Sequence, residues 1–220
     1  MTDFFSKIGP TVRDSIYQIH ALMPDSILFG SILLYFLTQN IAYGVFSIFI
    51  FETVLSHKFI NYIIQGTTGK KTVNPTEENV KCRIGYKIPN LDFNKIFSHD
   101  PYPSYAIFSI TSIGTYLGLA TNYYSETLKK MGQEWESRIM VSYCLITIVI
   151  ALFLFIRIGL CSDSINEVVM SFIAAILLGS IFFYLNKLIF GDESVNFLGL
   201  PYIVSKESLG SPIYICSSNG

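Results

Sequence analysis

The sequence has few charged residues and few residues of the kinds that build metal or redox sites. Asp, Glu, Lys and Arg make up 14% of the chain, whereas ordinary soluble domains contain about 25%. There are three histidines and four cysteines, with no Cys-x-x-Cys or Cys/His spacing that would indicate a metal site or a disulfide framework. A formal net charge of −1 gives no reason to expect nucleic-acid binding. We therefore predict no metal, no cofactor and no nucleic-acid partner.

Apolar and aromatic residues are abundant, and two long runs contain no charge at all. Hydrophobic residues make up 51% of the chain, with 18 Phe and 14 Tyr. Residues 139–156 and 168–186 form runs of 18 and 19 uncharged residues, each enclosed by charged residues. About 18 apolar residues in a helix are enough to cross the roughly 30 Å hydrocarbon layer of a bilayer. Both runs therefore predict membrane-spanning helices.

Two further runs predict spans nearer the N-terminus. Residues 26–51 are uncharged, and apolar residues continue at helical spacing beyond Glu52. We predict one span here, whose helix projects into water; the alternative is two shorter helices broken near Gln39-Asn40. Residues 101–125 form another uncharged run, which we predict to be the second span.

These runs predict an all-α, multi-pass transmembrane helical bundle with four spans. The bundle occupies residues 26–190 and includes a polar extramembrane loop at 66–100. Residues 1–25 are predicted to be an amphipathic segment, which either lies at the membrane interface or docks on the bundle. Residues 191–220, rich in Gly, Ser and Pro, are predicted to be an irregular extramembrane tail.

The number of spans determines whether the distribution of Lys and Arg favours one orientation of the protein in the membrane. With four spans, seven Lys and Arg residues lie on one side of the membrane and eight on the other. Because cytoplasmic segments carry an excess of Lys and Arg, this distribution favours neither orientation. Five spans would give ten against five, with the loop 66–100 on the inner side.

Three polar clusters are expected on one face of the membrane. Two predicted spans separate Ser104 from the turn 157–167, so this turn, Ser104 and the loop 66–100 lie on the same side. The arrangement resembles the membrane-bound type 2 phosphatidic acid phosphatase family. Its members share three motifs: a lysine, six residues and Arg-Pro; Pro-Ser-Gly-His; and Ser-Arg, five residues, His, three residues, Asp. In that family the histidine of the third motif attacks phosphorus, and the histidine of the second protonates the leaving group.

The spacing of these motifs is kept here, but the catalytic histidines are absent. Lys81 is followed by six residues and Ile88-Pro89, and Pro103-Ser104 is followed by Tyr and Ala. In the third motif, aspartate stands at the position of the attacking histidine. The resemblance covers residues 80–186. If the site were active, the resemblance would assign catalysis to Asp163, Glu167, Arg157, Lys81, Ser104 and, as a substitute acid, His99.

Helix ends explain the same residues without any reaction. Ser164 and Glu167 have the spacing of a capping box at the start of the last span. Asp163 adds favourable negative charge at that helix N-terminus, and Arg157 suits the C-terminus of the preceding span. We therefore predict that the protein is not an active enzyme.

The predicted role is structural, with the loop 66–100 and the tail 191–220 docking another protein layer against a lipid bilayer. Composition and size are similar to those of the membrane-embedded minor capsid proteins of large DNA viruses. That similarity implies the internal membrane of a virion as the location. The alternatives are a lipid-phosphate phosphatase and a small channel or transporter. The channel is less favoured because, apart from Gln39 and Asn40, the predicted spans lack polar groups at mid-membrane.

Overall fold

A computed structural model describes residues 10–68, 104–159 and 164–199 of the protein. The described residues form five α-helices and one 3-10 turn, and they contain no strand. In chain order these elements are α1 (Pro10–Thr38), α2 (Ile41–Thr68), α3 (Tyr105–Met131), α4 (Gln133–Gly159), α5 (Ile165–Phe190) and the 3-10 turn (Asp192–Val195). The predicted all-α helical bundle is confirmed. Most of the predicted loop and tail lies outside the described residues.

Three helices are long and apolar enough to cross a membrane. They are the Ile41–Ile63 part of α2, and α4 and α5 over their whole lengths. The runs 139–156 and 168–186 lie inside α4 and α5, so both are confirmed as long apolar helices. The run 101–125 is helical from Tyr105 onward, but α3 is too polar to reach the same apolar length. The described residues thus contain three such helices rather than four.

The chain breaks at Gln39 and Asn40, where we predicted one uninterrupted span. Gln39 has a φ of 54°, in the left-handed region, and its N–H donates to the Tyr35 carbonyl at 2.8 Å. The Asn40 side-chain oxygen accepts a hydrogen bond of 3.0 Å from the N–H of Ala42 and so caps the start of α2. The single-span prediction is wrong, and the alternative of two helices is confirmed.

Helices α1 and α2 form an antiparallel hairpin on either side of this break. The hydroxyls of Ser31 and Ser47 lie 2.8 Å apart in the interface between the two helices. Nearer the turn, the ring of Tyr35 lies against Gly44, where an added Cβ would approach the ring to 3.0 Å. Small and hydroxyl-bearing residues therefore allow close contact between the helices.

Helix α1 is longer than the sequence suggested. It begins at Pro10 and continues past Pro24 to Thr38. Proline is favourable at the first position of a helix because its missing N–H would have no partner there. Residues 10–25, which we predicted to be a separate amphipathic segment, thus belong to the same helix as the apolar residues 26–38.

Helix α3 packs closely against both α4 and α5. On the α5 side, a Cβ added to Gly179 would approach the carbonyl oxygen of Ser112 to 3.0 Å. On the α4 side, a Cβ added to Gly114 would meet Cδ1 of Ile150 at 2.7 Å. Gly118 has no heavy atom within 4 Å of an added Cβ. Of these two glycines of α3, which are four residues apart, only Gly114 lies in close contact with a neighbouring helix.

The connections between helices define two ends of the bundle. One end holds the α1–α2 turn, the single-residue α3–α4 connection at Gly132 and the C-terminus of α5. We call it the Asn40 end. The opposite end, which we call the Ser104 end, holds the start of α3 and the connection between α4 and α5.

The residues that follow α5 fold back onto the Asn40 end. The Tyr124 hydroxyl of α3 donates to the Asp192 carbonyl at 2.6 Å, and the Asn40 side-chain amide donates to the Asn196 carbonyl at 2.9 Å. We predicted an irregular tail from this point, but residues 191–199 are a short, hydrogen-bonded segment packed against the bundle.

An aromatic cluster fixes this segment in place. The ring centroid of Phe197 lies 5.7 Å from that of Tyr43, 5.5 Å from Phe46 and 6.4 Å from Tyr116. Tyr116 in turn stacks on Phe49 with a centroid distance of 4.3 Å. Such pairs add attraction beyond the area they bury, so the Asn40 end is closed by packed rings.

Helices α4 and α5 leave large apolar side chains exposed on their outer faces. Examples are Leu145, Leu152 and Leu177, each more than half exposed, and the free thiol of Cys144 is exposed on α4 as well. A continuous apolar surface of this kind is unfavourable in water. It suits contact with lipid chains, in agreement with the predicted class of integral membrane protein.

Candidate functional site

The predicted polar cluster lies at the Ser104 end, and part of it forms a helix cap. The Glu167 N–H donates to Ser164 Oγ at 3.3 Å, and the Ser164 N–H donates to Glu167 Oε2 at 3.2 Å. This reciprocal pair is the capping box that the spacing predicted. The Glu167 carboxylate thus satisfies the backbone at the start of α5, where negative charge is also favourable.

Ser104 is fully buried and is linked to this cap through the side chain of Ser171. Its N–H donates to Ser171 Oγ at 2.7 Å, and Ser171 Oγ donates to the Glu167 carbonyl at 2.7 Å. Ser104 occupies the N-cap position of α3, but its side chain makes no capping hydrogen bond. Its buried hydroxyl has no hydrogen-bond partner in the described part of the chain. The fold therefore brings the second and third predicted clusters together.

Arg157 enters the same end of the bundle from α4. Its side chain is only 7% exposed. One turn earlier, Phe153 belongs to the buried apolar cluster that contains Tyr105 of α3. The other residues of the predicted site lie outside the described residues; they are Lys81, His99 and Asp163.

Two buried residues occupy the positions at which the resemblance would place Gly and His. Tyr105 and Ala106 stand where the phosphatase family has Gly and His, and they are 7% and 1% exposed. The methyl group of Ala106 cannot transfer a proton. The Tyr105 ring packs against His57 of α2 at a centroid distance of 5.1 Å. In the described residues, this position therefore supports packing rather than acid catalysis.

A second group of polar residues, which we did not predict, lies inside the bundle. Thr53, His57 and Asn61 follow one another at four-residue spacing on α2 and are 2%, 0% and 5% exposed. This spacing places all three on one face of the helix. The His57 ring lies 5.1 Å from Tyr105 and 5.2 Å from Phe108, so the face is turned toward α3.

Directly before Thr53 in the chain, a carboxylate stands in the middle of an apolar helix. Glu52 is at the midpoint of the segment Ile41–Ile63. The side-chain amide of Asn186, which is 1% exposed, donates to Glu52 Oε2 at 2.9 Å. In the described part of the chain, no Lys, Arg or His nitrogen forms an ion pair with this carboxylate. The hydrogen-bond donor that the described residues offer to Glu52 is therefore a neutral amide.

Tyr116 of α3 is the third polar residue at this level of the bundle. It is 0% exposed, and its hydroxyl has no hydrogen-bond partner among the described residues. Its ring packs 4.3 Å from Phe49 and 5.3 Å from Phe183, measured between centroids. These two rings precede Glu52 and Asn186 by three residues on the same helix faces. Three helices thus bring a carboxyl, an amide and a phenol to one layer.

We did not predict the mid-membrane position of Glu52 because we misplaced a helix boundary. We began the first span at residue 26, which put Glu52 beyond its end. Because the chain breaks at Gln39, the apolar segment begins again at Ile41 and Glu52 becomes its centre. The polar pair Gln39-Asn40 was the signal that could have revealed this position.

The described residues contain no group of three or more His, Cys, Asp or Glu side chains that could hold a metal ion. No protein-family model matches the chain, and neither does any curated protein or solved structure. Function must therefore be argued from geometry and chemistry.

Proposed function

We propose that the chain is an integral membrane protein whose five helices all cross the bilayer. The apolar lengths of α2, α4 and α5 support this directly. Helix α3 packs between α4 and α5, so its polar residues need not face lipid. Helix α1 contributes the apolar part Ser26–Thr38 and contacts α2 through Ser31 and Tyr35. The count is five, rather than the predicted four, because the chain reverses at Gln39-Asn40.

Five crossings make the distribution of positive charge informative. Ten of the 15 Lys and Arg residues then lie on the side of the Ser104 end, and five lie on the side of the Asn40 end. Lys and Arg are enriched in the segments that remain on the cytoplasmic side. The proposed orientation therefore has the N-terminus and the loop 66–100 inside and the tail 191–220 on the opposite side.

The proposed role is structural and non-enzymatic: the bundle anchors a protein layer to a bilayer. The observation that supports it best is the use of the phosphatase-like residues as structural elements. Glu167 is engaged in a capping box, and Ser104 is 0% exposed. The loop 66–100 is the proposed docking segment on the inner side, and a viral capsid shell is the layer that the compositional similarity suggests.

Phosphate release from phosphatidic acid and from a polyprenyl diphosphate tests the non-enzymatic role. The purified protein is expected to release no more phosphate than the Asp163→Ala variant. The matched control is Asn166→Ala, a change at an exposed position three residues away. Release that Asp163→Ala abolishes and Asn166→Ala retains would establish an enzyme instead.

Crosslinking in the native membrane tests the docking role. Lys70, Lys71 and Lys206 provide reactive amines in the loop and the tail. Crosslinks from Lys70 and Lys71 to a protein that forms a layer on the inner side are expected. Crosslinks to lipid-metabolising enzymes alone would contradict a structural role.

The alternative is a lipid-phosphate phosphatase, and one observation favours it. The Ser104 N–H, Ser171 Oγ and the Glu167 carbonyl form a continuous hydrogen-bonded chain, so two of the three motifs meet at one end of the bundle. In that case Asp163 would attack phosphorus, Arg157 and Lys81 would hold the phosphate, and His99 would serve as the acid. The assay above separates the two functions.

A further inference from the structure

We propose that Glu52 is a proton-binding site at the centre of the bilayer, held by Asn186. This inference rests on the membrane placement in the proposed function, but it does not depend on the structural role. It identifies a ligand, the proton, and the side chain that binds it.

Glu52 lies deep in a segment that is proposed to cross the membrane. Glu52 is the midpoint of the apolar segment Ile41–Ile63, so about 16 Å of helix separates it from either end at 1.5 Å per residue. An ionised side chain at that depth is costly, and intramembrane carboxyls commonly mark proton or ion pathways. The charged residues of α4 and α5, by contrast, stand near the helix ends.

The described groups packed around the carboxyl carry no positive charge. From α5 it receives a hydrogen bond of 2.9 Å from Asn186, which is a neutral amide. From α3, the ring of Tyr116 packs on Phe49, three residues before Glu52, and its phenol carries no positive charge. From α1, the apolar side chains of Ile27 and Leu28 pack against the cluster that contains Phe49 and Ile50.

The nearest cation on α5 is engaged elsewhere. The Lys187 ammonium lies 3.5 Å from the centroid of the Tyr123 ring and 3.5 Å from Asp192 Oδ1, toward the Asn40 end. On α2 itself, His57 is turned toward the aromatic rings of α3, and Lys58 lies six residues, or about 9 Å of helix, beyond Glu52. Among the described residues no cation forms an ion pair with Glu52, so this side chain is more stable in the membrane as the neutral acid.

The polar face of α2 gives this proton a route toward one side. Thr53, His57 and Asn61 continue from the level of Glu52 toward the Ser104 end, and all three are buried. In the opposite direction, the ring of Phe197 and its aromatic neighbours close the Asn40 end. Exchange is therefore expected with the Ser104 side of the membrane.

Labelling with dicyclohexylcarbodiimide tests the proposal on the intact protein in liposomes. This apolar reagent reacts with protonated carboxyls. The carboxyl proton moves to one reagent nitrogen, the oxygen bonds to the central carbon, and the acyl group then shifts to nitrogen, with no leaving group. We expect one adduct, located at Glu52 by mass spectrometry, and a rate that falls about tenfold per pH unit above the midpoint. A pH-independent rate, or no adduct at Glu52, would overturn the proposal.

The Asn186→Leu variant tests whether the hydrogen bond from Asn186 affects proton binding by Glu52. Removing the donor to the carboxyl favours the neutral form, so the midpoint of labelling is expected to rise by about one pH unit. Asn122→Leu, at an exposed amide of α3, should leave the midpoint unchanged. An unchanged midpoint in Asn186→Leu would overturn the assigned role of Asn186. Phosphate release from a protein that still labels at Glu52 would refute only the structural role.

Discussion

The side-chain amide of Asn40 donates a hydrogen bond of 2.9 Å to the backbone carbonyl of Asn196, joining residues 156 positions apart in the chain. Three residues further along α2, the Tyr43 hydroxyl donates to the Phe197 carbonyl at 3.1 Å. The α1–α2 turn thus holds the segment that follows α5. These two side chains add to the aromatic cluster and the Tyr124 hydrogen bond that close the Asn40 end.

Removing the Asn40 side chain should both uncap α2 and release the segment 191–199. We expect Asn40→Ala to lower the free energy of unfolding by about 1–3 kcal/mol, since a cap and a second hydrogen bond are lost. Thermal unfolding in detergent measures this loss, and limited proteolysis after α5 reports the release. Asn40→Asp keeps the cap oxygen but loses the donor, so it should accelerate cleavage with a smaller loss of stability. Equal cleavage rates in Asn40→Asp and the native protein would contradict the assigned contact.

Five crossings predict which exposed residues share a side of the membrane. Ser15 and Asn166 should lie on one side and Ser137 on the other. Single cysteines at these three positions, in a chain whose native cysteines are replaced by serine, can be probed in sealed vesicles with a membrane-impermeant maleimide. If the cysteine at 15 is labelled together with that at 137, α1 does not cross and the number of spans is four.

Two helical glycines should respond in opposite ways to alanine. Gly179→Ala places a methyl group 3.0 Å from the carbonyl oxygen of Ser112, where neither backbone can yield easily. We expect a loss of about 1–3 kcal/mol in the free energy of unfolding. Gly118→Ala meets nothing within 4 Å, so it should stabilise α3 by about 0.5–1 kcal/mol. Equal midpoints of thermal unfolding for the two variants would show that the α3–α5 contact is looser than described.

The capping box predicts which change at Glu167 the protein tolerates. Glu167→Gln keeps an acceptor for the Ser164 N–H, so thermal unfolding should remain close to that of the native protein. Ser164→Ala removes the acceptor for the Glu167 N–H and should cost about 1 kcal/mol. A large loss of stability in Glu167→Gln would mean that the negative charge matters more than the hydrogen bond.

The helix cap at Glu167 and the apolar helices α4 and α5 could be predicted from sequence because each depends on local information. A run of 18 or 19 uncharged residues has no favourable alternative to burial or lipid. A serine and a glutamate three positions apart satisfy each other within a single turn. Neither prediction required knowledge of distant residues.

The break at Gln39 and the docking of residues 191–199 could not be predicted in the same way. Both the uninterrupted helix and the hairpin can place the apolar residues of the region 26–51 against other helices or against lipid. What favours the hairpin includes the Ser31–Ser47 contact and the hydrogen bond from Asn40 to Asn196, which join residues distant in the chain. Because we predicted one uninterrupted span over residues 26–51, Glu52 fell beyond its end and was assigned to water.

The sequence by itself determined that this is a helical chain suited to lipid, because charge is too rare and apolar runs are too long for another class. Only the tertiary structure decided that Glu52 faces Asn186 and that Ser104 lies beside the start of α5. Apolar periodicity specifies how much of a helix is buried, but not which helix will be its neighbour. A hydrogen bond between residues 134 positions apart, such as that of Asn186 with Glu52, exists only after the helices have packed.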